Sequence, residues 1–118
     1  MDKKARKRYL LFQVLSDSEK LEKKKVGQVL FHRFRLLFGA FGLSQSDLSF
    51  LAYDGEKKLG VLRCSHEYVE HVRATLALTA EVQGSKARFH VVRVSGTLKT
   101  LKETALLSFG SPLKPEGK

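Results

Sequence analysis

The stretch from Arg8 to Ser16, RYLLFQVLS, carries apolar side chains on both of its alternating faces: Tyr9, Leu11 and Leu15 on one, Leu10, Phe12 and Val14 on the other. A strand of that pattern is central in its sheet and has to be covered from both sides. Whatever fold the rest of the chain adopts must therefore supply packing above and below this strand.

The following segment places Val26, Leu30, Phe34, Leu37 and Phe41 at helical spacing, with Gly39 and Gly42 loosening its end, and Ser16 with Glu19 three residues later spells a capping box before it. LSFLAYDGEKKLGVLRC, residues 48–64, reads as two strands joined at Asp54-Gly55, a pair that tolerates the positive φ of hairpin turns. Ser65 can cap a second helix with Val69, Val72, Leu76 and Ala80 on its apolar stripe, stopped by Gly84. ARFHVVRVS, residues 87–95, is a fourth strand, and Ser95 or Thr97 starts a third helix with Leu98, Leu101 and Ala105 on one face.

The order β-α-β-β-α-β plus a C-terminal helix predicts an α+β, ferredoxin-like fold of RNA-recognition type. It has a four-stranded antiparallel sheet with two helices on one face, and the third helix is the candidate cover for the other. Residues 1–8 read as a flexible basic arm, 9–110 as one domain and 111–118, with Pro112 and Pro115, as a disordered tail. At 118 residues one domain has enough core without metal or disulfide, and Cys64 as the only cysteine excludes an intrachain bridge and points to a reducing compartment. No apolar run approaches the roughly 18 to 20 residues of a membrane span, and the basic N-terminus lacks a signal-like apolar core, so the expectation is a soluble, cytoplasmic protein.

The net charge of +10 on so short a chain speaks about partners, and a polyanion is the obvious one. Chemistry of the chain's own finds little support. HEYVEH, His66 to His71, superficially resembles a zinc-protease motif, but its histidines are five apart and therefore turned about 140° from each other on a helix. Small basic hydrolases of the same fold use a glycine-rich phosphate loop after the first strand and an asparagine to position water. Here FQVLSDSEK has no glycine and the chain has no asparagine. The third strand, KLGVLRC, lacks the aromatic residues of an RNA-recognition motif, so base stacking on an open sheet is not expected either. A phosphate-directed surface with little sequence reading remains. Val29, Phe31, Leu36 and Phe38 are surplus to the stripe of the first helix: they mark a protein interface, or that helix is deeply buried.

VSGTLKTLK, Val94 to Lys102, does not have the G-x-x-x-x-G-K-[ST] spacing of a nucleotide loop. Ser95 or Thr97 can cap the third helix, and Lys99 in its first turn meets the positive end of the helix dipole unless an anion is bound there. Capping alone and phosphate contact both fit.

GVLRC, the helix HEYVEHVRATLALTAEV, the strand ARFHVVRVSGT and then LKTLK together resemble the Pop-five family, the protein component 2 of archaeal and eukaryotic ribonuclease P, over about Lys7 to Leu106. The short tails and lack of insertions look archaeal. The resemblance implies a non-catalytic subunit of the ribonucleoprotein that removes the 5′ leader of precursor tRNA. In that family the RNA performs the chemistry with magnesium, and the protein pairs with a TIM-barrel, thirty-kilodalton-type subunit, two copies of each. Arg63 and Cys64 match the family's third-strand signature, and Ser95, Gly96, Thr97 and Lys99 its fourth-strand signature. With the charge reading, the expected RNA-binding set is Lys3, Lys4, Arg6, Lys7, Arg8, Arg63, Ser95, Gly96, Thr97, Lys99 and Lys102. The competing reading is a structural protein–protein interaction module whose charge serves solubility.

Overall fold

A computed structural model describes residues 6–18 and 20–113. Strand β1 (Lys7–Ser16) is followed by helix α1 (Lys23–Ser46), the hairpin β2 (Ser49–Asp54) and β3 (Leu59–Ser65), a single 3-10 turn (His66–Tyr68) and helix α2 (Val69–Leu78). The short strand β4 (Glu81–Val82), the long β5 (Ser85–Ser95) and helix α3 (Leu98–Phe109) complete it. The sheet is antiparallel in the order β2-β3-β1-β5-β4, which puts β1 at its centre.

Both faces of β1 are buried, as its composition requires. Leu10, Phe12 and Val14 join Leu62 and Cys64 of β3 in a core closed by Val26, Leu30 and Phe34 of α1 and Val72 and Leu76 of α2. Leu11, with Leu59 and Val61, packs on the opposite face against Leu101 and Ala105 of α3. The third helix is thus the cover for the second face. The alternation of GVLRC follows directly: Leu62 and Cys64 face α1 and α2, while Val61 and Arg63 face the α3 side. Gly60 is set by space, because a Cβ there would lie 2.5 Å from Cζ of the fully buried Phe12.

The four-stranded expectation is corrected by a fifth strand. VQGSK does not end the second helix; it turns a hairpin between β4 and β5, with Gln83 at φ 54° and Gly84 at φ 79°. Two central residues with positive φ form the turn that matches strand twist. The helix has already stopped at Leu78, so Ala80 is exposed, and its carbonyl accepts a 3.0 Å hydrogen bond from Ala87 N–H. The β2–β3 loop is also longer than a two-residue turn: it spans residues 55–58, held by Asp54 Oδ1 accepting from the N–H groups of Glu56 and Lys57 at 2.9 and 3.2 Å, with Lys58 in the left-handed region.

The expected capping box is not the start of α1. Ser16 belongs to β1 and its hydroxyl accepts from Ser18 N–H at 3.1 Å, the helix begins after Glu22 without a side-chain cap, and Glu19 lies outside the described residues. The stripe of α1 also changes course. Gly39, at φ 80° and ψ 170°, breaks the helix, leaving Leu37 and Phe41 exposed while Gly42 and Ser46 are buried. Of the arm expected over residues 1–8, Lys7 and Arg8 are the first residues of β1, and residues 1–5 lie outside the described range. Of the tail expected from residue 111, Ser111 and Leu113 are buried, the Ser111 hydroxyl donating to Asp54 at 2.5 Å, and residues 114–118 lie outside the described range.

Candidate nucleic-acid interface

Helix α3 begins beside the end of β5, and the residues just after it reach Asp54 at the end of β2. In between, the helix packs on Leu11, Val61 and Leu59, so it crosses the sheet obliquely. The corner it leaves open holds a row of polar side chains in register across four strands: Ser49 of β2, Arg63 of β3, Tyr9 of β1 and Ser95 of β5. Arg63 Nη2 donates to the Ser49 hydroxyl at 3.2 Å, while its Nε is buried with no hydrogen-bond partner among the described residues. A guanidinium held by one edge is suited to a phosphate oxygen.

The row runs into the turn before α3. The Ser95 hydroxyl accepts from Thr97 N–H at 3.1 Å, and the Thr97 side chain accepts from Thr100 N–H at 3.4 Å as the helix cap. Both candidates for the helix start are therefore used, one to form the turn and one to cap. Gly96 is not demanded by backbone strain, and a Cβ there would sit at an ordinary 3.7 Å from Arg8 Nη1, which places the Arg8 guanidinium at this turn. No acidic residue occupies the first turn of α3, and Lys99 is exposed there. Lys99 and Lys102 line a groove of about 490 Å³ along the helix with Leu98, Glu103, Leu106 and Pro112.

Lys7, one strand position from Arg8, is ion-paired to Asp47, the residue that closes α1 in the left-handed conformation. The hydrogen bond from Lys7 holds the Asp47 carboxyl below the usual carboxylate range against a small burial penalty, and Lys7 and Arg63 add electrostatic pull. The structure thus brings together Lys7, Arg8, Arg63, Ser95, Gly96, Thr97 and Lys99 at one end of the sheet. Arg6 is exposed beside them, its carbonyl accepting from His66 N–H at 2.7 Å, Lys102 lies one turn further along α3, and Lys3 and Lys4 fall outside the described residues.

The lysines of α1 belong elsewhere. Lys23, Lys24 and Lys25 start the helix that packs on the opposite face of the sheet, and Lys23 Nζ stands 5.4 Å from the centre of the Phe50 ring. The four surplus apolar residues of α1 divide: Val29 and Phe38 are half-buried against the core, Phe31 lines a groove of about 540 Å³ with Lys23, Lys24 and Phe50, and Leu36 is 64% exposed. Phe41, 76% exposed beyond the Gly39 break, was hidden in the helical stripe as read from the sequence.

Among the described residues no cluster of His, Cys, Asp or Glu is arranged to hold a metal ion. His71 lies 4.6 Å from the rings of both Phe38 and Tyr68, which makes it a packing residue of the α1–α2 contact. Burial pushes the Cys64 thiol up to about 11, so it is protonated and unreactive at neutral pH. No helix among the described residues is long and apolar enough to cross a membrane.

Fold and surface together define a class: a basic domain of RNA-recognition topology whose sheet is covered on both faces, with an open cationic corner. The chain belongs to the Rpp14/Pop5 family, whose profile matches residues 8–106. It is 34% identical over 103 residues to ribonuclease P protein component 2 of Pyrococcus abyssi, spanning 87% of this chain and 86% of that one. The corresponding protein of Methanosarcina mazei is 35% identical over 107 residues, 91% and 90% of the two chains. A chain in the cryo-EM structure of yeast ribonuclease MRP shares the fold, with TM-score 0.64 over 92% of this chain and 97% of that chain at 18% identity.

Proposed function

We propose that this protein is a non-catalytic subunit of ribonuclease P that binds the catalytic RNA and supports removal of the 5′ leader from precursor tRNA. The observation that carries this reading is the near full-length likeness to proteins named ribonuclease P protein component 2. The open corner of Arg63, Lys7, Arg8 and the α3 turn supports it by offering a surface for the RNA backbone. In this reading the RNA and its magnesium ions do the chemistry in the cytoplasm. The protein neutralises phosphate repulsion so that the RNA holds its active core at lower ionic strength. A TIM-barrel, thirty-kilodalton-type subunit is the proposed protein partner, two copies of each, with the exposed apolar residues of α1 as the surface for it.

The second reading, a structural interaction module without RNA contact, draws on those same exposed side chains, Leu36 and Phe41. Titration with ribonuclease P RNA at several salt concentrations separates the two. An RNA subunit loses affinity linearly in log salt with a slope of several units. A flat slope would remove the RNA reading. Precursor cleavage reconstituted with and without this chain, at low magnesium, then tests the role in the particle.

A further inference from the structure

Strand β5 carries a feature that the corner does not use. From Ser85 to Ser95 its basic and imidazole side chains on the α3 side are Lys86, Arg88, His90 and Arg93, all exposed, while Val92 packs on the α3-side core at a register shift that keeps Arg93 on the same side as the others. Their partners on β1 are neutral: Leu15 opposite Arg88, Gln13 opposite His90 and Leu11 opposite Arg93. On the other side β5 has only the two-residue β4, whose Glu81 faces Lys86. Beyond Ala87, then, β5 is an edge among the described residues, and Arg88, His90 and Arg93 face no acid across the ladder. Among the described residues none of the four is ion-paired. Arg93 Nη1 donates to Thr104 of α3 at 3.2 Å, which turns that guanidinium toward the helix.

Basic side chains on an edge strand also discourage pairing with another strand, so charge alone is insufficient. Continuity is the deciding observation. The row ends at Ser95, which is in register with Tyr9 and, through it, Arg63, and it passes directly into the capped turn and Lys99. Alternate strand residues stand roughly 6.6 Å apart, comparable with successive phosphates of an extended nucleic-acid strand.

We propose that the α3-side edge of β5, through Arg88 and Arg93 with Lys86 and His90 beside them, is a second phosphodiester-binding segment that extends the corner into one continuous RNA track. The proposal rests on the RNA-subunit reading and adds a site to it. The ligand is the backbone of RNA, read by charge and spacing, since the segment displays no exposed Phe, Tyr or Trp ring and its one imidazole stands among cationic side chains.

The test is titration of transcribed archaeal ribonuclease P RNA with the full chain carrying R88A and R93A together, across a series of potassium chloride concentrations. Loss of two phosphate contacts lowers the log–log salt slope by roughly 1.4 to 1.8 and weakens binding roughly 25- to 60-fold at 0.1 M salt. The double variant R88K/R93K keeps the slope. Because both side chains are exposed, unchanged thermal unfolding verifies the fold. A wild-type slope in R88A/R93A, alongside a reduced slope in Lys99→Ala, would overturn the track and leave the corner and the RNA reading standing. Loss of slope in R88K/R93K, or loss of protein-partner binding with the RNA slope intact, would also overturn it, the latter assigning the edge to a partner's strand. A flat slope in the wild-type chain would instead end the RNA reading itself.

Discussion

At the scale of single residues, the family signature separates into parts that hold the fold and parts that line the open corner. Gly60 is a packing glycine: its hydrogen sits where a methyl would strike the ring of Phe12, which is fully buried between Phe50 and Phe89 and cannot swing away. Gly60→Ala should cost about 1 to 3 kcal/mol through overpacking, read as a lowered midpoint in urea with an unchanged m-value. Cys64 shares that core, whereas Arg63 between them points to the open corner. Asp47 works against the corner's charge by pairing with Lys7. The pair is half exposed and therefore weak, so a phosphate can take Lys7 from it. Asp47→Asn keeps a side chain that tolerates the left-handed backbone, and it should raise RNA affinity and steepen the salt slope by up to about one unit. An unchanged slope would show that Lys7 stays outside the RNA contact. The pH dependence has a definite sign. The Asp47 carboxyl is depressed in the folded protein, so its contribution is present above the unfolded carboxylate value of about 4 and is lost as pH falls through the lower folded value. Mild acidification from pH 7 to 5 should therefore leave the Lys7–Asp47 pair intact, checked by a thermal-midpoint difference between wild type and Asp47→Asn that is the same at both pH values.

At the scale of elements, what could be read from the sequence is what local pattern decides. Alternating apolar residues on both faces of β1 announced a doubly covered central strand, and α3 provides the second cover through Leu101 and Ala105, as their spacing with Leu98 foretold. The misreadings have physical causes. Ser16 and Glu19 match a capping box, but β1 carries on through Ser16 because its ladder to β5 extends as far as Ala87, so tertiary pairing overrides the local signal. Gly84 reads as a helix stop because a glycine with positive φ serves both helix ends and hairpin turns. Only the pairing of Glu81 with Lys86 distinguishes them. In α1 the stripe read past Gly39 as if the helix were straight, and the break there moved Leu37 and Phe41 outward. The open corner was partly legible, since SGT and Arg63 stood out in the sequence, but the register that aligns Arg63, Tyr9 and Ser95 depends on strand order and could not be read from spacing. The break itself is testable. Gly39 holds φ 80° and ψ 170°, a conformation open to glycine and strained for other residues, although a Cβ there would meet no atom within 4 Å. Gly39→Ala should cost about 1 to 3 kcal/mol, seen as a lower thermal midpoint. If stability were unchanged, α1 would be able to straighten at no cost.

At the scale of the whole molecule, the sheet divides the described lysines and arginines between two sides that a single straight RNA contact cannot use together. Lys24 and Lys25 begin α1, which packs on the face of β1 that bears Leu10, Phe12 and Val14. Arg63, Lys99 and the β5 row belong to the α3 side, where Leu11 and Val61 lie. Composition treats these lysines and arginines alike, but counterion release counts only those that displace ions from the RNA at the contact. Exposed charge on the far side contributes through the long-range field alone, and that field is cut off over a Debye length of about 8 Å at physiological ionic strength. The Lys24→Ala/Lys25→Ala variant should therefore bind ribonuclease P RNA with a salt slope within about half a unit of wild type. Arg63→Ala/Lys99→Ala, which removes the same formal charge, should lose roughly 1.4 to 1.8 units. Net charge is equal in the two variants, so any attraction governed by overall charge would give them equal slopes. Equal losses would mean that the RNA wraps around α1 as well, and a larger loss in the α1 variant would move the RNA surface to the opposite face of the sheet.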